Sequence, residues 1–405
     1  MPQYDLVVLG ATGFVGQILC QYLLQQITGG MKWAIAGRSR AKLAKLMTSL
    51  GQRAANLPYL IADVTDEASL QALCAKTQVI ISTVGPYALY GEPLIKVCAS
   101  TGTDYCDLTG EPQWIRRMIQ SYEPIAQSSG ARIVHCCGFD SIPSDLGVYY
   151  LQQQARQQFG QPCDRVKMRV QEVRGGISGG TAASGINLIK EAITNPELRQ
   201  ELANPYSLCL ENEQLSDHPP TLIPVQYDED FQGWVSPFVM AEVNTRIVLR
   251  SNTLLDCAYG PHFHYDEAIF TRSGVMGWMT AQGLKLGLDG TALAVALPPT
   301  RWLLENTLVP KSGQGPSQTV QEQGFYALEF YGVTATGKKI RVKVTGDRDP
   351  GYGSTAKILG QAGLCLVQDF PKSAKAGGFW TPASMFGATL IARLEQFAGL
   401  TFQRI

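Results

Sequence analysis

The sequence predicts an α/β fold: an N-terminal doubly wound parallel sheet, a second α+β domain, and C-terminal helices that return to the first. Three observations predict it. Short β-branched runs alternate with helical patterns over about the first 150 residues, the pattern of a parallel sheet covered on both faces. The pattern changes near residue 160 to longer, alternating runs, as in mixed or antiparallel sheets. The chain has 405 residues, more than the roughly 250–300 that one core holds. The expected boundaries are 1–155 for the first domain, 156–350 for a substrate and dimerisation domain, and 351–405 for the returning helices.

The first domain reads in order. Leu6 to Leu9 is a strand and Phe14 to Gln26 a helix. Trp33 to Ala36 and the helix Arg40 to Leu50 follow, then a strand Pro58 to Ile61. Asp66 to Ala75 is a helix opened by acidic residues, as the helix dipole favours. Gln78 to Val84 is the fourth strand, followed by helices Glu92 to Ser100 and Gln113 to Ser128 and a strand Arg132 to Cys136. Beyond it, Arg165 to Val173 reads as a long strand leading into the small-residue segment Arg174 to Ser184 and a helix to Ile193. Residues 204–237 read as a long loop. Val239 to Arg250 alternates partly, while Phe325 to Tyr331 and Lys339 to Thr345 alternate well. Thr355 to Val367 and Ala383 to Phe397 are helical.

Composition narrows the function. Lys plus Arg and Asp plus Glu are 34 each, so nothing favours a nucleic-acid partner. Ten cysteines contain no Cys-x-x-Cys pair and only four histidines exist, so no metal site is expected. The chain opens on a strand-like run with no basic, hydrophobic leader, and a cytoplasmic, reducing location is expected. Ala268 to Leu297 is apolar but broken by Arg272 and Lys285, so it should not span a bilayer. A buried helix pair is the favoured reading. A peripheral membrane contact or a lipid pocket is the alternative.

The chemistry starts at Gly10-Ala11-Thr12-Gly13-Phe14-Val15-Gly16, directly after the first strand. This Gly-x-x-Gly-x-x-Gly turn is a Rossmann dinucleotide fingerprint: glycines for the tight turn, for approach to the pyrophosphate, and for helix–strand packing. The new helix's free N–H groups and dipole hold the anion. At the end of the second strand, where an NAD site usually carries an acid, the chain reads Ala36-Gly37-Arg38-Ser39-Arg40. Arg38 offers a guanidinium to a 2′-phosphate and Ser39 adds a donor, so NADP(H) is expected. Asp63 ends the third strand and either bonds the adenine edge or caps the next helix. Val84, Gly85 and Pro86 should run beside the nicotinamide ribose, with Tyr87 as an aromatic donor nearby.

Several motifs together resemble the saccharopine dehydrogenase-like oxidoreductases. They are the glycine turn, Ala36 to Ser39, Thr83 to Tyr87, Tyr105 to Glu111, Gly138 to Asp145, Ser178 to Thr181 and Gly377 to Pro382. The similarity is strongest to the branch of trans-acting enoyl reductases. That resemblance implies NADPH-dependent reduction of a carbon–carbon double bond in a lipid-like or polyketide-like substrate. A second branch implies association with membranes or lipid droplets.

A reductase needs a proton donor beside the hydride. No tyrosine has a lysine four positions on, so the short-chain dehydrogenase mechanism is disfavoured. Tyr87, Asp140 and Ser141 are the catalytic candidates; for Asp140 and Ser141 a helix N-cap role is the competing reading. Asp107 and Glu111 could orient ribose or substrate, or be surface or cap residues. Arg246 and Arg250, on one face of a strand, would meet an anionic group or solvent. The competing functions are a saccharopine-type amino-acid dehydrogenase and a membrane-associated binding protein that keeps the cofactor as structure. A homodimer is left open as a partner.

Overall fold

A computed structural model of the chain describes residues 2–175, 179–209, 222–297, 299–300, 315 and 317–405. Its first half is a parallel sheet of β1 Tyr4–Leu9, β2 Trp33–Gly37, β3 Tyr59–Ile61, β4 Thr77–Ser82, β5 Asp104–Asp107 and β6 Arg132–Val134. Between them run α1 Phe14–Gln26, α2 Arg40–Leu50, α3 Glu67–Cys74, the short α4 Tyr87–Tyr90, α5 Glu92–Thr101 and α6 Pro112–Ser129. Local chemistry sets their ends. Ser39 and Asp66 cap α2 and α3 by accepting the backbone N–H of Lys42 and Ala68. Gly102 and Gly130 take left-handed φ and stop α5 and α6.

The second half is a mixed sheet ordered β14-β12-β11-β7-β10-β9-β8. Its strands are β7 Arg165–Arg174, β8 Gln226–Asp228, β9 Gly233–Pro237, β10 His264–Phe270, β11 Phe325–Val333, β12 Lys339–Gly346 and β14 Leu400–Arg404. Among these strands β7 and β10 pair in parallel and the other neighbours are antiparallel. The helices are α7 Ile142–Phe159, α8 Gly179–Thr194, α9 Pro196–Ala203, α10 Ala241–Leu254, α11 Gly274–Ala296, α12 Gln318–Gln323, α13 Thr355–Gln368 and α14 Pro382–Arg393.

The last stretch does return to the first sheet. Small residues let α13 lie close: a Cβ at Gly363 would sit 2.4 Å from Ile81, and one at Gly360 would sit 2.9 Å from Tyr22. Gln361 donates to the Tyr22 hydroxyl at 2.6 Å, and that hydroxyl donates to the Phe397 carbonyl. The strand β13, Gly378–Trp380, was not foreseen. It adds to the first sheet beside β6, giving the order β13-β6-β5-β4-β1-β2-β3.

Three expectations are corrected. Val239 to Arg250 is not a strand but most of α10, whose Val243, Ile247, Val248 and Leu249 are all buried. Its alternation misled because the interleaved polar residues, Asn244, Thr245 and Arg246, are buried as well. The loop expected at 204–237 contains β8 and β9; its residues 210–221 lie outside the described ones. The segment 268–297 is not a buried helix pair. It is the end of β10 and one helix, α11, in which only Gly277, Ala281 and Val295 are buried.

Candidate active site

The first sheet switches direction of travel between β1 and β4, since β1 pairs with β2 on one side and β4 on the other. Open α/β sheets bind ligands in the crevice outside that point. Here the crevice is lined by the β1 and β4 loops. Gly10 has φ +87°, and a Cβ there would sit 2.7 Å from Thr83 Oγ1 and 2.8 Å from Val84 Cγ2. The loops can approach only because position 10 has no side chain. A Cβ at Gly16 would stand 2.3 Å from the Gly10 carbonyl, so α1 also packs on the turn only as glycine. Gly13 stands at the N-cap of α1, with no side chain satisfying the free N–H groups of the first turn. This cradle, open where a Cβ would intrude, fits a pyrophosphate.

The neighbouring residues divide. Thr12 lies beside Gly37: a Cβ there would be 3.9 Å from Thr12 Oγ1. Arg38 is exposed, and its charge acts on Asp63 across the β2 and β3 ends. Ser39 is partly committed, because its hydroxyl caps α2. Asp63 accepts from the Thr65 N–H and hydroxyl at 3.0 and 2.9 Å, and these bonds hold its carboxyl below the usual range. It therefore turns the chain at Thr65, while the helix cap one turn on is Asp66. Phe14 stacks edge-on against Tyr352 at 4.8 Å, and Val15 packs on the core. Val84 borders the glycine turn, and Gly85 and Pro86 lead from it into α4, with Pro86 at that helix's N-cap position.

Of the three catalytic candidates, two are turned inward. The Tyr87 hydroxyl donates to the Ser82 carbonyl at 3.0 Å and accepts from Leu108 N–H at 3.1 Å. It is buried, and burial, with Asp107 beside it, pushes its pKa well up. Tyr87 is thus a strut between the β4 and β5 loops. Ser141 is fully buried and donates to Asn244 Oδ1 at 2.9 Å; it stands at the N-cap of α7 without capping it. Asp140 differs. It keeps a surface open to solvent yet is ringed by protein on its other sides. Burial, reinforced by the Asp107 charge and opposed by its own backbone N–H, pushes its carboxyl up to about 7. A group titrating there can hold or release a proton at neutral pH.

Sequence reasoning left the supporting residues undecided. Glu111 is buried and accepts from Tyr87 N–H at 2.8 Å, Ala88 N–H at 3.0 Å and the Ser184 hydroxyl at 2.8 Å. One carboxylate therefore caps α4 and ties the β4 loop to α8. Asp107, also buried, accepts from Thr109 N–H, Cys136 N–H and the Tyr105 hydroxyl, and meets His135 Nδ1 at 2.7 Å. It fixes the loop that carries Asp140. Arg246 and Arg250 are not on a strand and do not face solvent. Both are buried on α10. Arg246 pairs with Glu242, and Arg250 donates to the Leu208 and Phe379 carbonyls.

Comparison with known proteins fits this geometry. Residues 6–134 match the saccharopine dehydrogenase NADP-binding domain. Trans-acting enoyl reductases of Mycobacterium tuberculosis and Mycobacterium ulcerans are 37% and 36% identical, each over 97% of this chain and 96% of theirs. The chain belongs to the saccharopine dehydrogenase-like oxidoreductases. A further Mycobacterium tuberculosis protein, provisionally given the same reductase name, is 40% identical over 99% of this chain and 97% of its own. Among solved structures, the saccharopine dehydrogenase (L-Glu forming) of Saccharomyces cerevisiae shares the fold. Its TM-score is 0.55 at 14% identity, over 99% of this chain and 100% of that one. This family member is an NADP-binding oxidoreductase, and open α/β sheets bind such cofactors in the crevice at the switch point, here between β1 and β4.

Proposed function

We propose that the protein reduces a carbon–carbon double bond conjugated to a carbonyl, in a lipid-like or polyketide-like substrate, with NADPH. The observation that carries this reading is Asp140. Tyr87 and Ser141 are committed to internal hydrogen bonds, which leaves Asp140 as the candidate with an acidic proton available near pH 7. Gly10, Gly13 and Gly16 would hold the pyrophosphate, and Arg38 the 2′-phosphate. When bound, NADPH supplies the hydride. The protein's own part is then to place the β4 loop, through Glu111, and to give one proton from the Asp140 carboxyl to the neighbouring carbon. General-acid help of this kind accelerates reactions by about 10²–10⁴. The names of the full-length relatives support the reaction class.

The amino-acid dehydrogenase reading is weaker. A pocket for several substrate carboxylates needs uncommitted cations. Instead Lys167 and Arg169 pair with Asp228, Asp230 and Asp266, and Arg246 pairs with Glu242. All ten cysteines are free thiols, which supports a reducing, cytoplasmic setting. The test is NADPH oxidation by purified protein with a medium-chain trans-2-enoyl thioester, followed by mass analysis of the saturated product. Turnover with saccharopine-forming substrates and none with enoyl thioesters would sink the assignment.

A further inference from the structure

The Asp140 carboxyl has a seat built by its neighbours. It lies at two glycines: a Cβ at Gly138 would stand 2.8 Å from its Oδ2, and one at Gly110 would stand 3.7 Å from its Oδ1. Gly138 is itself pressed on the loop after β5, where a Cβ would meet Leu108 Cδ2 at 2.4 Å. The chain reaches this seat through an unusual turn. Cys136 takes φ +59°, a left-handed conformation that is costly for a residue with a Cβ. Asp107 holds it there. Cys136 N–H donates to Asp107 Oδ1 at 3.2 Å, and Cys137 N–H donates to the Asp107 carbonyl at 2.8 Å.

Asp107 is oriented in turn by His135. A carboxylate only accepts, so the 2.7 Å contact places a ring proton on His135 Nδ1. Nε2 meets no hydrogen-bond partner among the described residues. Trp114, Phe379 and Tyr105 wall the imidazole, with ring centroids 5.0, 5.7 and 6.0 Å away. This wall fixes the plane of the ring and aims Nδ1 at Asp107. The Asp107 charge is therefore pinned by Thr109 and Cys136 N–H on Oδ1, and by the Tyr105 hydroxyl and His135 on Oδ2. It reinforces burial in raising the Asp140 carboxyl. Two other titratable groups interact with Asp140, Tyr87 from α4 and Cys136 on its own loop. Burial pushes both well up, so they stay neutral. Glu111, next to Gly110, spends its carboxylate on Tyr87, Ala88 and Ser184, and α13 contributes the neutral Thr355 hydroxyl.

We propose that His135 is a positioning residue for the proton-transfer step: its Nδ1–H fixes the Asp107 carboxylate against the strained turn, and so keeps a negative charge behind the Asp140 carboxyl. Without that donor, the buried carboxylate takes up a proton or swings off the turn, and either change removes its charge from Asp140. The inference rests on Asp140 as the proton source.

The test is a carbon-13 NMR titration of full-length protein labelled at the aspartate carboxyls, with the Asp140 signal assigned by its loss in Asp140→Asn. His135→Phe keeps the ring among its aromatic neighbours and removes the donor. Its Asp140 midpoint should fall by at least about half a pH unit. Asp107→Asn should lower it at least as far: its Oδ1 can keep both N–H bonds and its Nδ2 can donate to the other His135 tautomer, so the turn stays and the charge goes. The double variant should shift no further than Asp107→Asn alone. His135→Asn, whose amide nitrogen takes the Nδ1 place, should restore the midpoint to within about 0.2 of a unit. The falling limb of the single-turnover pH profile should move with the signal. An unchanged or raised midpoint in His135→Phe, or additive shifts in the double variant, would overturn the inference, as would a limb that stays while the signal moves. The titration reads Asp140 without turnover, so its failure is separate from failure of the proton-source reading, which the kinetics of Asp140→Asn decide. Unchanged circular dichroism checks the fold, and Asp107→Asn carries the test if His135→Phe does not fold.

Discussion

If the Asp140 carboxyl is the proton source, replacing it with asparagine removes the proton and little else. The side chain keeps its size, and the loop is held from elsewhere, by Asp107 and by Thr355, whose Oγ1 accepts from Phe139 N–H at 2.9 Å. We expect Asp140→Asn to lower kcat by about 10²–10³, the range of one general acid, and to leave NADPH affinity within about twofold. The wild-type pH profile gives a second measure. A carboxyl raised to about 7 is about 90% protonated at pH 6 and about 10% at pH 8. The proton-transfer step needs the protonated form, so turnover should be flat below pH 6. It should fall about tenfold between pH 6 and 8, then about tenfold per unit. Stopped-flow NADPH oxidation under single-turnover conditions, across pH 5.5 to 9, isolates that step. Two results would refute the assignment: a variant with more than about a third of wild-type kcat, or a wild-type profile level through pH 8.

The cofactor site makes two further predictions. Arg38→Ala should weaken NADPH by about 10–100-fold, the worth of charge-assisted bonds to a phosphate, while NADH changes less than about threefold; calorimetric titration with both nucleotides checks this. Gly13→Val should abolish binding of both nucleotides in a folded protein, since its Cβ would meet only the Gly10 carbonyl, at 3.2 Å. Gly16→Ala, with 2.3 Å to that same carbonyl, should cost fold stability as well, visible as a lowered Tm. Buried Asp145, raised to about 7 by burial against the Ser251 and Ala383 donors, makes a pH prediction. A carboxyl whose folded pKa is raised stabilises the fold most at low pH, and that contribution is lost as pH rises from about 4 to about 7. Urea titrations at pH 5 and 7 should therefore show Asp145→Asn gaining on the wild type by up to about 1.4 kcal/mol per pH unit.

Most of the first half was legible because its signals are local. A glycine turn after a strand, Asp66 before α3, and the Arg38 substitution for an acid each state their role within a few residues. The catalytic candidates were legible only as neighbours of the crevice. Tyr87 and Ser141 reach the right loops, but their partners, the Ser82 carbonyl and Asn244, are a matter of rotamer and of a helix about a hundred residues away. α10 was misread because its buried face is polar as well as apolar: Asn244 links Ser141, Ser144 and Glu267. Binary pattern cannot report a helix wrapped around a polar network. α11 failed in the opposite way, since apolar composition was taken for burial.

The closing segment of the chain supplies one strand to each sheet, Gly378–Trp380 beside β6 and Leu400–Arg404 beside β12. During synthesis neither sheet can be finished until those residues have left the ribosome. Until then β6 and β12, paired on that side in the finished sheets, are left as open β edges, the form most open to pairing with another chain. A stalled or clipped product lacking these residues would be expected to aggregate rather than persist as a working cofactor domain, and a tag placed there would compete with the last step of assembly.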